Sequence, residues 1–191
     1  MKEKKDKPKL NLVLPAYNEE LTIASVIKDF YSELPDAYFC VVNNNSSDKT
    51  SEVVEKTYKE LGIPSERALL MHENRQGKAN AMKKAFYNLD SDIFILVDAD
   101  NTYPAKAVHQ LLEPVLNDEA DIAIGDRHSA GDYGKENKRP FHGFGNNLVK
   151  NLINLLFKSN LKDILSSYRV MSRDFVKNFP IMSKGFEIET E

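Results

Sequence analysis

The chain has 191 residues, of which 41% are hydrophobic, so it is long enough to bury a core as a single domain. Its formal net charge of −3 provides no overall basic field, and nucleic acid is therefore not an expected partner. The single cysteine, Cys40, excludes a framework of disulfides within the chain, and no apolar stretch approaches the roughly 20 residues of a membrane-spanning helix.

Short apolar runs and longer amphipathic stretches alternate along the chain after a basic N-terminal tail over 1–9. The short runs indicate buried strands, and apolar positions spaced three and four residues apart indicate helices. The predicted elements are strand 10–15, helix 21–30, strand 38–42, helix 49–61, strand 68–71, helix 79–86, strand 92–97, helix 108–115 and strand 120–125. Because parallel neighbours need crossover helices, this alternation predicts an α/β fold with a Rossmann-like, mostly parallel sheet and helices on both faces.

The pattern changes after Gly125. Residues 126–143 are polar and lack periodicity, which is typical of a functional loop, and residues 148–157 have the spacing of a strongly apolar helix. A short strand over 166–171 and a short helix over 174–176 are predicted to follow. The final residues, 185–191, alternate like a strand with no cap or turn after them, so we expect a truncated C-terminus.

The fourth predicted strand ends in two aspartates, Asp98 and Asp100, separated by Ala99. Ligands bind at the carboxyl ends of strands in open α/β sheets. Two carboxylates this close can share a divalent cation, Mg²⁺ or Mn²⁺, that also bridges phosphate oxygens. The same residues could instead form a polar turn that caps the next helix. Their position directly after a buried strand favours the metal site.

Clusters of mostly polar residues also follow the other predicted strands of the alternating part. They are Pro15, Tyr17, Asn18 and Glu19 after the first strand, Asn43 and Asn45 after the second, Arg75 and Lys78 after the third, and Arg127 after the fifth. Each of these alone is explained by turn formation or ordinary surface charge. Together on one edge of a sheet they predict a nucleotide pocket, in which amides can read a base edge and cations can meet phosphates. The glycine patterns of dinucleotide-binding and P-loop proteins are missing.

The ordered combination of these segments resembles family-two glycosyltransferases with the GT-A fold. The segments are Pro15–Glu20, Val42–Thr50, Asn74–Ala81 and Asp98–Asp100. Four later segments resemble the branch that includes dolichyl-phosphate mannose synthases and bacterial polyprenyl-phosphate sugar transferases. These are Gly125–Arg127, Arg139–Pro140, Gly145–Asn146 and Ser167–Arg169. The likeness covers about residues 10–191, which it implies to be one catalytic domain.

The resemblance implies an inverting, metal-dependent transfer of a sugar from a UDP- or GDP-sugar to a polyprenyl or dolichyl phosphate. It implies that the enzyme acts at the cytoplasmic face of the cell membrane, in cell-envelope glycan synthesis. It also implies a membrane-associating part after the end of this chain, through which the membrane surface would be a partner. A homo-oligomer stays open. It implies that Asp98 and Asp100 bind Mg²⁺ or Mn²⁺. The implied donor-site residues are Pro15, Tyr17, Glu19, Asn43, Asn45, Arg75, Lys78, Asp98, Ala99 and Asp100. The implied catalytic residues are Asp100, Arg127, Arg139 and Arg169.

The chain departs from the family pattern at three places. Asn43, Asn44 and Asn45 stand where the family often has carboxylates, so amides replace carboxylates near the base. Thr102 stands where dolichyl-phosphate mannose synthases often have a metal-binding glutamine, and Ser167 stands where a glycine is common.

The kind of acceptor can also be argued from chemistry. An alcohol acceptor needs a general base, whereas a lipid phosphate is already an anion and needs cations, for which arginine forks are suited. The second half of the chain offers three arginines for this purpose and no convincing acidic pair. Two alternatives stay open. One is a glycosyltransferase with a soluble or saccharide acceptor, whose base would be Asp126, Asp132 or Glu187, and the other is a non-catalytic nucleotide-binding domain of a membrane assembly.

Overall fold

The structure is a computed structural model that describes residues 7–125 and 166–189. The strands are β1 (Leu10–Ala16), β2 (Tyr38–Asn43), β3 (Ala68–His72), β4 (Ile93–Leu96), β5 (Ile122–Ile124) and β6 (Arg169–Ser172). The helices are α1 (Ile23–Glu33), α2 (Thr50–Glu60), α3 (Lys78–Asn88), α4 (Val108–Leu116) and α5 (Arg173–Asn178), with 3₁₀ turns at Ala105–Ala107 and Phe186–Glu189. The predicted loop over 126–143 and the predicted helix over 148–157 lie outside the described residues.

The strands form one sheet in the order β3-β2-β1-β4-β6-β5. The four strands β1 to β4 are parallel, and β6 lies between β4 and β5 and runs antiparallel to both. Arg169, the first residue of β6, is opposite Leu96 of β4 and Ile124 of β5. The start of β6 therefore lies at the edge of the sheet where the parallel strands end.

Helices cover both faces of this sheet, and the predicted α/β architecture is confirmed. Alternate residues of β1 point to opposite faces, so Leu12 and Leu14 pack with α1, α2 and α4, whereas Val13 packs with α3 and α5. All four residues of β4 are buried, as expected for a strand covered on both sides. Cys40 is a buried core residue, and burial raises the pKa of its thiol to about 12.

The strand-like alternation over 185–191 does not correspond to a strand in the described part of this segment, which contains a 3₁₀ turn at Phe186–Glu189. The Glu187 carboxylate accepts the backbone N–H groups of Lys184 and Gly185 at 3.0 and 3.1 Å, and this local bonding competes with an extended strand. Ile188 is buried against the α3 side of the core. Among the described residues, no helix has the length and apolar character that crossing a membrane requires.

Candidate active site

A pocket of about 300 Å³ opens at the edge of the sheet where β1 to β4 end. Each of these four strands contributes lining residues from the loop that follows it. The pocket is lined by Pro15, Ala16, Tyr17, Glu19, Asn44, Gln76, Gly77, Lys78, Asp98 and Asp100. This is the location that the sequence predicted for a nucleotide site, because ligands of open α/β sheets bind outside the carboxyl ends of the strands.

The pocket brings together the larger part of the predicted donor-site residues. Those that line it are Pro15, Tyr17, Glu19, Lys78, Asp98 and Asp100. Ala99 is buried between the two aspartates and lines no part of the pocket. Asn45 is exposed and holds a left-handed backbone with a φ of 62°, which is a turn-forming role.

Two further predicted residues use their side chains within the neighbouring loops. The Asn43 amide donates to Ser51 Oγ at 2.5 Å, and its Oδ1 accepts the Ser46 N–H at 2.9 Å. The exposed Arg75 forms a two-point contact with the buried carboxylate of Glu73, at 3.0 Å from Nε and 2.9 Å from Nη2. Arg75 lowers the pKa of Glu73 to about 2, chiefly through these hydrogen bonds. Both residues therefore support the loops around the pocket.

The loops after β1 and β2 are tied together by reciprocal hydrogen bonds. Asn18 N–H donates to Ser46 Oγ at 3.0 Å, and the Asn18 side chain accepts the Ser47 N–H at 2.8 Å. Glu20 N–H donates to Asp48 Oδ2 at 3.0 Å, and the Glu20 carboxylate accepts the backbone N–H of Lys49 at 2.9 Å. Since each loop supplies both donors and acceptors to the other, this wall of the pocket is fixed before any ligand arrives.

Asn44 and Gly77 hold the loop after β3, and the sequence did not single out either as part of the site. The Asn44 amide donates to the carbonyls of Glu73 and Arg75 at 3.1 and 2.8 Å, and its Oδ1 accepts the Gly77 N–H at 2.8 Å. Gly77 has a φ of 125°, and a Cβ there would lie 2.1 Å from the Lys184 carbonyl oxygen. The glycine inside a basic turn was the one sequence signal that pointed to this constraint.

Lys78 is a buried cation beside the first of the two aspartates. Its Nζ lies 2.5 Å from Asp98 Oδ1 and donates to Ser167 Oγ at 2.5 Å. Ser167 is also buried, and its backbone N–H donates to the Tyr103 hydroxyl at 2.8 Å. Contacts therefore run from Asp98 through Lys78 and Ser167 to Tyr103. The first and last of these residues both belong to the segment after β4 that contains Asp100.

The carboxylates of the pocket fit a divalent cation. Asp98 and Asp100 are hard oxygen donors on the same wall, and Asp100 Oδ1 accepts the Thr102 N–H at 3.0 Å. Burial raises the pKa of Glu19, a hydrogen bond from Thr22 opposes the rise, and the charges of Asp100 and Asp98 add to it. The pocket thus holds an excess of negative charge that a cation would offset.

The two aspartates are the side chains of this wall that suit such a cation. Among the described residues, no group of three or more His, Cys, Asp or Glu side chains is arranged to hold a metal ion. Thr102 contributes its backbone to the turn and is no substitute for a third carboxylate. Asp98 and Asp100 would therefore leave the remaining coordination positions to phosphate oxygens and water.

Of the three predicted arginines, Arg169 lies at the same edge of the sheet as the pocket. It is partly buried at the start of β6, and its Nε donates to the Ser166 carbonyl at 3.2 Å. Its strand partner in β4 is Leu96, two residues before Asp98. Arg127 and Arg139 lie outside the described residues.

Comparisons with known proteins relate this site to a family. The family model described as "Glycosyl transferase family 2" matches residues 12–179. Glycosyltransferase AglJ of Haloferax volcanii is 29% identical over 181 residues, which are 94% of this chain and 55% of AglJ. Dolichol-phosphate mannosyltransferase of Pyrococcus furiosus is 25% identical over 188 residues, which are 96% of this chain and 51% of that protein. The chain thus spans about half the length of these two relatives.

A solved structure shares the fold. It is glucosyl-3-phosphoglycerate synthase from Mycobacterium tuberculosis in complex with Mn²⁺, uridine diphosphate and phosphoglyceric acid, with a TM-score of 0.71 and 22% identity. The match covers 96% of this chain and 62% of that chain. This likeness agrees with the predicted GT-A fold class, and the matching family model includes every residue that lines the pocket. The chain belongs to glycosyl transferase family 2.

Proposed function

We propose that the pocket binds a nucleotide-sugar together with a divalent cation, and that the protein transfers the sugar with inversion to a polyprenyl or dolichyl phosphate. The observation that carries this proposal is the meeting of Asp98, Asp100 and Lys78 in one pocket, with Arg169 at the same edge of the sheet. We further propose that transfer takes place at the cytoplasmic face of a membrane, in the synthesis of cell-envelope glycans.

The residues that line the pocket suit the two parts of a nucleoside diphosphate. Pro15 and the half-exposed Tyr17 offer apolar surface to a base and ribose. They lie on the wall where the loops after β1 and β2 are held together by hydrogen bonds. Lys78 offers a cation to the diphosphate. Asp98 and Asp100 would hold Mg²⁺ or Mn²⁺, which would stabilise the charge on the departing diphosphate when bound. A pocket of about 300 Å³ is at the lower limit for small-molecule sites, which suits part of a donor.

An anionic acceptor suits the residues at this edge. A lipid phosphate attacks as an anion and needs no group to remove a proton, but it must approach a negatively charged donor. Arg169 lies where a cation would reduce this repulsion, and its Nε bond to the Ser166 carbonyl orients the guanidinium. The similarity to a protein named dolichol-phosphate mannosyltransferase supports the same kind of acceptor. Arg127 and Arg139 remain proposed partners of the acceptor or the diphosphate.

The donor site is tested by calorimetric titration with UDP and with GDP, each with and without Mn²⁺. We expect one nucleotide to bind in a metal-dependent way, and Asp98→Asn and Asp100→Asn each to remove the metal dependence. Asp36→Asn is the matched control, because Asp36 is an exposed aspartate just before the start of β2, at the edge of the sheet opposite the pocket. Absence of nucleotide binding to the folded protein would refute the donor site and would leave a non-catalytic role.

The acceptor is tested separately, with the donor that matches the preferred base. We expect sugar transfer to a polyprenyl phosphate and none to the corresponding polyprenol, and we expect Arg169→Met to reduce turnover at least about tenfold while donor affinity stays unchanged. Arg169→Lys should recover part of the loss, since a point charge replaces the fork. Transfer to the polyprenol or to a soluble saccharide would refute the phosphate acceptor and leave the donor site intact.

A further inference from the structure

We infer that Lys78 is an exchangeable counter-ion of Asp98, which the divalent cation displaces, and that Ser167 is the positioning residue that keeps the displaced ammonium in the site. This inference rests on the proposed function, because it concerns the order of events in the proposed donor pocket. It gives Ser167 a role, and it predicts that metal binding is weakened by the loss of the contact between Lys78 and Asp98.

The charges of the pocket require a cation before any ligand arrives. The side chain of Asp98 is 26% exposed, and a carboxylate with this little access to water needs a partner. The Lys78 ammonium meets this need at 2.5 Å from Oδ1. Asp100 is exposed and can be solvated by water, so the lysine contacts the more buried of the two aspartates.

A metal ion shared by Asp98 and Asp100 changes this arrangement. The ion and the ammonium would contact the same carboxylate, and two cations this close repel each other in a partly buried pocket. The flexible stem of a lysine allows its ammonium to move while its backbone stays in α3. Metal binding in the absence of nucleotide should therefore carry the cost of breaking the contact between Lys78 and Asp98.

Ser167 determines where the ammonium goes. Its buried hydroxyl accepts from Lys78 at 2.5 Å, and its backbone N–H donates to the Tyr103 hydroxyl at 2.8 Å, which holds the backbone of the serine beside Lys78. An ammonium that leaves Asp98 can keep this bond and turn toward the diphosphate. Binding of metal and nucleotide should consequently be coupled, because the nucleotide offers Lys78 a new partner once the metal has taken Asp98.

The test measures Mn²⁺ binding without nucleotide, from the electron paramagnetic resonance signal of free Mn²⁺, and then UDP and GDP binding at saturating Mn²⁺. For Lys78→Met we expect the dissociation constant for Mn²⁺ alone to fall about tenfold, as one charge-assisted contact to Asp98 is removed. At saturating Mn²⁺, the dissociation constant for the preferred nucleotide should rise about tenfold. The two effects have opposite signs, which a merely damaged pocket would not produce.

Ser167→Ala separates the positioning role from a general loss of structure. It keeps the backbone bond to Tyr103 and removes the acceptor. The ammonium of the metal-free variant still contacts Asp98, whereas an ammonium displaced by the metal would have lost both of these contacts, so Mn²⁺ alone should bind about threefold more weakly. In the Lys78→Met background the same change should have no effect on Mn²⁺ binding, because Ser167 acts through Lys78. Lys106→Met, at an exposed lysine of the 3₁₀ turn after the aspartates, is the matched control and should leave Mn²⁺ binding unchanged.

The outcomes distinguish this inference from the proposed function. A folded wild-type protein that binds neither Mn²⁺ nor either nucleotide overturns both. A wild-type protein that binds them, with a Lys78→Met variant whose Mn²⁺ affinity is unchanged or weaker, overturns only the counter-ion role. An effect of Ser167→Ala that persists without Lys78 overturns the positioning role. If thermal melting shows Lys78→Met to be unfolded, Lys78→Gln, which is also uncharged, takes its place with the same expected directions.

Discussion

Replacing Asn44 by alanine should destabilise the loop after β3, which forms part of the pocket. The Asn44 side chain is buried and joins three backbone groups of the loop after β3, the carbonyls of Glu73 and Arg75 and the N–H of Gly77. Alanine removes all three hydrogen bonds and leaves these backbone groups without that partner. The loop carries Lys78 at its end, so the effect should reach nucleotide binding as well as stability.

The magnitude follows from the number of bonds. A hydrogen bond contributes a net of about 1 kcal/mol, so three lost bonds should lower the free energy of unfolding by about 3 kcal/mol. In a chain of this size about 3 kcal/mol corresponds to a fall in melting temperature of about 6–12 °C. Asn44→Asp should cost at least as much, because it retains an acceptor for Gly77 but turns a carboxylate toward two carbonyl oxygens.

Urea denaturation and calorimetric nucleotide binding measure the two effects. We expect Asn44→Ala to weaken metal-dependent nucleotide binding by about tenfold, since an unordered loop must be ordered again on binding. Asn88→Ala is the matched control, because Asn88 is an exposed asparagine whose amide donates to the Lys84 carbonyl within the same helix. If Asn44→Ala is no less stable than Asn88→Ala, the three bonds do not hold the loop and this reasoning is refuted.

Two further predictions concern groups that meet in the same pocket. Burial raises the pKa of Glu19, so the stability it contributes is present below its ordinary pKa of 4.5 and is lost as pH rises through the raised value. Glu19→Gln should therefore raise the melting temperature of the metal-free protein at pH 7 and have no such effect below pH 4.5, and an equal effect at both pH values would contradict this. Gly77→Ala should destabilise the protein by at least about 2 kcal/mol more than Gly62→Ala, because the new methyl group at residue 77 would clash with the Lys184 carbonyl, whereas the space at Gly62 is open. Equal denaturation midpoints for the two alanine variants would show that the Lys184 segment yields at little cost.

The order of strands and helices in the first two thirds of the chain could be predicted because buried strands and amphipathic helices leave strong patterns. Strand 38–42 was predicted where β2 is Tyr38–Asn43, and helix 49–61 where α2 is Thr50–Glu60. The placement of β6 between β4 and β5 could not be predicted, since a short apolar run indicates a strand but not its neighbours or direction. The alternation in 185–191 was too short to outweigh local hydrogen bonds to Glu187.

The site was predictable to the extent that polar residues follow buried strands. This rule located Asp98, Asp100 and Lys78, but it could not rank three consecutive asparagines. The backbone geometry directs the side chain of Asn44 to the next loop, that of Asn43 to Ser46 and Ser51, and leaves Asn45 exposed. The direction of the Asn44 side chain depends on contacts with residues about 30 positions away, such as Glu73. A local sequence pattern does not reveal such contacts.

The reversed direction of β6 explains how the late part of the chain reaches the donor aspartates. An antiparallel strand starts where its parallel neighbours end, so Ser167 and Arg169 stand at the edge of the sheet where the pocket opens. A parallel strand in the same position would place Ser172 at this edge and Arg169 about 10 Å away, toward the other edge of the sheet. Lys78 then would lose its serine partner and the acceptor would lose its arginine. The insertion of one four-residue strand in reverse thus joins the proposed donor and acceptor residues on a single rigid frame.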